Sequence, residues 1–164
     1  PDARFPYTDV AKDSEYYSDV EFMYTHGYMS GITDTEFGLD SAFTKAAFAQ
    51  ALYNIAGAPT VETENAAFSD IDSSDPAYNA AVWATNNGVL SAKDGKFAPD
   101  SEITVMDFAS SLVKLSFAGH FVLAKVVKTL VLAFNIIKDF GFASFNTVLT
   151  RAQAAQRLVE YCGL

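Results

Sequence analysis

Apolar positions in the first third of the chain fall at helical spacing twice. Tyr16, Tyr17, Val20, Met23 and Tyr24 mark one face up to Gly27, and Phe48, Ala49 and Leu52 mark a second behind Thr44. Gly27 suits a left-handed helix stop and Thr44 an N-cap, so the pattern predicts helix, loop, helix, the second helix running from Thr44 to about Gly57. Ala58-Pro59 to Ala66 is polar and acidic and reads as a connector. The same order then returns. Asp75-Pro76 reads as cap and first residue of a helix through Tyr78, Ala81, Val82 and Trp83 to Gly88, and Thr104 opens another, with Asp107 at the capping-box position, to about Leu115. Between them, Asp94-Gly95 signals a tight turn from Lys93 to Lys96.

A third unit keeps the outline but not the residues. Val126, Val127, Leu130, Val131, Phe134, Ile137 and Phe140 make a nearly all-apolar helix, relieved by a polar stripe of Lys125, Lys128, Asn135 and Asp139. That pattern predicts a helix covered on most sides, and the lysines, each costing about 2.5 to 3.5 kcal/mol at a bilayer centre, argue against a membrane span. The last helix opens at Thr150, where Gln153 completes a capping box.

The register exposes a repeat. Phe43-Thr44-Lys45, Ile103-Thr104-Val105 and Leu149-Thr150-Arg151 each precede a helix, with Thr44 and Thr104 60 places apart and Thr104 and Thr150 46 apart. An opening turn phrase, Tyr7-Thr8-Asp9-Val10 or Phe68-Ser69-Asp70-Ile71, stands 20 places before Gly27 or Gly88. Counting back 20 from Gly141 reaches Phe121-Val122-Leu123, where the acid has become Leu123. The loop from Gly141 to Thr150 is 9 places, against 17 and 16 in the earlier units, so whatever the longer loops build is cut away. The units are 1–58, 59–116 and 117–164, read as three helix-loop-helix pieces of one compact domain.

Arg151 is the residue local stability does not explain. It falls in the first helical turn, where the helix dipole disfavours a cation by a few tenths of a kcal/mol. It is either a surface or ion-paired arginine, or an anion-binding group beside a groove.

Charge narrows the partners. The formal charge is −9, but residues 1 to 116 carry 18 acids and 6 bases while 117 to 164 carry 2 acids and 5 bases. An acidic chain is poorly suited to sequence-independent nucleic-acid binding. One cysteine, Cys162, and two histidines, His26 and His120, supply neither a disulfide nor a zinc set, and no cofactor is expected. The opening at Pro1, without methionine or an apolar leader, reads as an excised or processed piece. Asp70, Asp72 and Asp75 lack the glycine and the twelfth-position Glu of a calcium loop, and capping and turn formation account for them. No triad or acid pair marks an enzyme; the residual catalytic idea is Lys125 or Lys128 as an amine nucleophile, should either enter an apolar cavity.

Aligned in this way, the chain resembles the S-layer homology (SLH) domain family, with an aromatic-x-Asp-Val opening, a Gly-apolar phrase, a Phe-x-Pro loop and Thr-Arg-Ala-Glu before the second helix. Tyr7, Asp9, Val10, Gly27, Gly31, Phe37 and Thr44 carry the likeness in unit one. Phe68, Asp70, Ile71, Gly88, Val89, Phe97, Pro99 and Thr104 carry it in unit two, and Gly141, Thr150, Arg151 and Ala152 in unit three.

The resemblance implies a mainly α fold, a pseudo-threefold array of repeats around a central helical bundle, with inter-repeat grooves that bind acidic, often pyruvylated, secondary cell wall polysaccharide. It implies a non-catalytic, extracellular module at the cell wall or S-layer. The binding residues it implies are Arg151 and Lys45 for the anion, with Asp9, Asp70, Gly27 and Gly88 for hydroxyls. The arginine position holds Lys45 in unit one and Val105 in unit two, and the family's helix-opening Trp is replaced by Glu15, Pro76 and Thr129. The other reading is a degenerate scaffold in which unit three binds a protein partner or a hydrophobic ligand.

Overall fold

A computed structural model describes residues 5–63, 68–118, 123–141 and 144–163. The unit-three phrase at 121–122 lies outside the described residues. The fold is mainly α. Its described elements are α1 (Tyr17–Thr25), α2 (Lys45–Ile55), α3 (Tyr78–Asn86), α4 (Val105–Phe117), α5 (Leu123–Phe140) and α6 (Arg151–Cys162).

The second helix of each unit begins where its threonine cap is. Thr44, Thr104 and Thr150 sit in extended backbone, and their side-chain oxygens accept from the backbone N–H of Ala47, Asp107 and Gln153. Only α6 of these three closes the full box, the Thr150 N–H donating to Gln153 Oε1 at 3.0 Å. In α4 the Thr104 hydroxyl instead donates to the Asp107 carboxylate at 2.7 Å, so the expected box is half formed. The first helices stop as expected at Gly27 and Gly88, with φ of +70° and +66°. Behind them Tyr28 N–H reaches Met23 O and Val89 N–H reaches Ala84 O, the paired bonds of a left-handed helix end. Asp94 and Gly95, both at positive φ, make the expected tight turn, with Lys93 and Lys96 exchanging two backbone bonds at 2.9 Å. One boundary shifts: Asp75 accepts from Ala77 N–H in a separate turn, and α3 starts only at Tyr78.

The three units close on one another through the residues just ahead of those caps. Ile103 N–H donates to Phe43 O, Phe43 N–H to Leu149 O, and Leu149 N–H to Ile103 O, at 2.8 to 3.0 Å. Each unit thus donates to one neighbour and accepts from the other. The helices repeat that order: α2 packs on α3, α4 on α5, and α6 returns to α1. Phe43, Phe48, Phe108, Leu52, Leu112, Leu149 and Leu158 are fully buried between them, the Phe48 and Phe108 rings stacked at 4.8 Å. Trp83 joins this core beside Tyr53.

Unit three departs from the expectation of a covered helix. Leu123, Val127, Leu130, Val131 and Phe134 of α5 are 48 to 63% exposed, while Val126, Thr129, Leu132, Ala133 and Ile136 face α4 and α6. Periodicity identified the helix but not its cover. The opening-turn acid of units one and two is replaced by Leu123, the first residue of α5, which is 18 residues long against 9 for α1 and α3. Among the described residues no helix is long and apolar enough to cross a membrane.

Gly31 is held for space rather than for φ. Its N–H donates to the Tyr7 hydroxyl at 2.6 Å, and a Cβ there would overlap the Glu36 carbonyl and the Tyr7 ring. Since overpacking of a rigid site costs about 1 to 3 kcal/mol and sometimes more, Gly31→Ala is expected to lower the midpoint of chemical denaturation at unchanged slope. Gly27→Ala, where a Cβ meets nothing, is expected to cost only the left-handed strain of about 1 kcal/mol.

Candidate functional site

Where unit three meets unit one, the first residue of α6 reaches into the neighbouring loop. Arg151 is 7% exposed, and its guanidinium lies 4.8 Å over the Phe37 ring. Its Nε–H donates to Phe37 O at 2.8 Å and an Nη2–H to Ser30 O. The other three N–H donors have no protein partner among the described residues. Burial pushes the Arg151 pKa down, while the nearby Tyr7 and Asp9 push it up. Neither alternative of surface arginine or side-chain ion pair describes it: it is buried against backbone carbonyls and lines a cavity of about 350 Å³.

The junction of units one and two copies this arrangement with a lysine. Lys45 Nζ donates to Ser91 O and Phe97 O, both at 2.6 Å, and sits 4.6 Å over the Phe97 ring. Burial lowers the Lys45 pKa, against the opposing pull of Asp107 and Asp70. At the third junction Val105 is buried and carries no charge; only its backbone N–H takes part, donating to Thr147 O.

Behind each cation stands the acid of the opening turn. Asp9 accepts from Phe37 N–H at 2.8 Å and Gly38 N–H at 2.7 Å. Asp70 accepts from Phe97 N–H at 2.9 Å and Ala98 N–H at 2.8 Å. The peptide joining residues 37 and 38 therefore has its N–H on a carboxylate and its C=O on Arg151, and the 97–98 peptide is held the same way between Asp70 and Lys45. Such end-to-end polarisation strengthens each bond. Asp9 borders a separate hollow with Gly38, Leu39, Asp40 and Ser41, not the Arg151 cavity. Gly27 lines that cavity, whereas Gly88 stands one residue outside the lining of the Lys45 cleft.

The acids set a pH dependence. Burial alone would raise the Asp9 and Asp70 carboxyls, but the backbone N–H donors outweigh it and hold both below the ordinary carboxylate range. A carboxyl whose folded pKa lies below its unfolded value stabilises the fold above the unfolded value, about 3.9, and loses that contribution as pH falls through the folded one. The melting temperature is therefore expected to drop below about pH 4, and Asp9→Asn with Asp70→Asn to flatten that drop. An unaltered acid limb in the double variant would show that other carboxyls govern it.

The two charged clefts differ in their opposite wall. In the Arg151 cleft, α2 presents Ala47, Gln50, Ala51 and Asn54; 60 places on, α4 presents Asp107, Ser110, Ser111 and Lys114 to the Lys45 cleft, whose volume is about 150 Å³. Gln50 and Asn54 are bonded to each other, and Asn54 Nδ2 donates to Tyr28 O, so the Gln50 carbonyl oxygen is left as an acceptor. These wall residues were not singled out from sequence, although 47, 50, 51 and 54 share one helical face. Of the remaining sequence candidates, Asp72 accepts from the Ser74 N–H and hydroxyl, and Asp75 from Ala77 N–H. Lys125 and Lys128 are both exposed on α5, and Lys125 borders a cavity of about 550 Å³.

The fold and these junctions define a repeat-built module with inter-unit clefts. The S-layer homology domain model matches residues 6–49 and 67–109, and the chain belongs to that family. It is 30% identical over 106 residues to a cell surface protein of Thermoanaerobacter kivui, an alignment covering 62% of this chain and 14% of the relative. The chain thus spans a small part of the length of that relative.

Proposed function

We propose that this chain is a non-catalytic module that attaches a protein to the cell surface by holding an acidic, pyruvylated wall polysaccharide in the cleft between units one and three. The observation that carries the reading is the Arg151 guanidinium, fixed on one edge by Phe37 O and Ser30 O, with three N–H donors left beside a 350 Å³ cavity. A carboxylate is the planar acceptor that fits such a fork. Gln50 supplies a hydroxyl acceptor, and Gly27 adds no side chain to the wall. In this reading Asp9 works by positioning Phe37 and hence Arg151. Lys45 and Asp70 form the matching frame where units one and two meet, but Asp107 across from Lys45 disfavours an anion there. Gly88 has no part in the favoured cleft.

Sedimentation with purified wall sacculi tests this. The intact protein is expected to pellet with pyruvylated sacculi and to remain in solution when the ketals have been removed. Equal pelleting with both would sink the acidic-sugar assignment.

A second reading, docking of a protein partner on unit three, is favoured by the exposed apolar stripe of α5. Leu130→Glu with Phe134→Glu is expected to abolish such a contact and leave wall binding intact.

A further inference from the structure

A second cavity lies away from the Arg151 cleft. The helices α2, α4 and α6 all begin at the closed ring of Phe43, Ile103 and Leu149, and at their far ends Ile55, Leu115 and Tyr161 bound a space of about 550 Å³. That volume is within the usual range for small-molecule sites, roughly 300 to 1,000 Å³. Trp83 and Pro59 complete its apolar side. Among the described residues Lys125 is the one charged residue on its lining, with its Nζ 4.9 Å over the Tyr161 ring. Among the described residues Lys125 has no acidic partner.

Its position depends on the greater length of α5. The added N-terminal turns of α5 carry Lys125 to the cavity mouth, where α1 and α3 have no counterpart. Tyr161 is a neutral phenol, burial pushing its pKa further up to about 12, and its ring offers the ammonium a π face.

We infer that this cavity binds a small amphipathic monoanion, its apolar body between Ile55, Leu115, Pro59 and Trp83 and its anionic head on Lys125 at the rim. The three helix C-termini carry partial negative charge, which keeps an anionic head out of the interior and at the lysine. Ile55, Leu115, Pro59 and Trp83 offer an apolar surface to a chain or ring, with Thr60, Asn87 and Ser116 beside it.

The test uses octanoate as probe and the emission of Trp83, the only tryptophan of the chain, as reporter, with calorimetry alongside. Octanoate is expected to shift Trp83 emission saturably and octan-1-ol to bind at least tenfold more weakly. Lys125→Met, which keeps the apolar stem, is expected to weaken octanoate at least tenfold. Lys128→Met, on the same helix but off the lining, and Arg151→Lys are expected to leave it unchanged, which separates this site from the glycan cleft. No saturable emission change and no heat, undiminished binding by Lys125→Met, or loss on Lys128→Met would each overturn the assignment.

Discussion

Replacing Arg151 by alanine is expected to abolish wall binding and also to destabilise the fold by about 2 to 4 kcal/mol. Hydrogen bonds to a charged group are worth roughly 1.5 to 3 kcal/mol each and the contact with the Phe37 ring about 0.5 to 2; water entering from the cleft to meet the freed carbonyls keeps the total below their sum. For a chain of this size that is a fall in melting temperature of roughly 4 to 16 °C. Alanine alone therefore confounds loss of ligand with loss of structure. Lysine separates them, because Lys45 already shows that an ammonium at this position reaches both carbonyls and lies over the aromatic ring. Arg151→Lys is expected to melt within a few degrees of the parent and yet bind the acidic polymer at least tenfold more weakly, having lost the planar fork. Matching losses of stability and binding in both variants would make Arg151 a structural residue only.

A chain ended at residue 118 is expected not to fold, despite retaining both repeats that match the family model. Deletion removes α6, which covers α1, and with it the buried side chains of Leu149, Leu158 and Tyr161. At about 1.5 to 3 kcal/mol for each large apolar side chain, these three alone represent roughly 5 to 9 kcal/mol, comparable to the 5 to 15 kcal/mol that a whole domain usually has. The deletion also opens the ring of backbone bonds at Leu149 and strips the Phe37 and Ser30 carbonyls of their guanidinium. Circular dichroism is expected to show loss of helix and of a cooperative transition. A cooperative transition with the helicity of α1 to α4 intact would mean that the first two units stand without closure.

Local chemistry was readable from the chain because its causes are local. Threonine caps located the starts of α2, α4 and α6, Gly27 and Gly88 the stops of α1 and α3, and Asp94-Gly95 the turn. The misfit of Arg151 in its helical turn pointed to a role elsewhere. Its partners could not be read, since Phe37 and Ser30 are 114 and 121 residues away and backbone carbonyls leave no residue-specific sign. Asp9 and Asp70 are ligand groups by the family resemblance alone. Their bonds in the structure run to loop amides 27 to 29 places on, a pairing fixed only when the loop closes. The apolar excess of α5 was read as burial, yet periodicity says which residues share a face and not what stands opposite.

The most direct measurement is a nitrogen-15 NMR titration of the intact chain with a soluble pyruvylated wall fragment, following the arginine Nε–H resonance and the glycine amides. The cleft between units one and three predicts that Arg151 Nε–H, Gly27 and Gly31 shift and saturate together while Gly88 and Gly95, beside the Lys45 frame, stay still. Saturating shifts at Gly88 and Gly95 with Arg151 unmoved would contradict it.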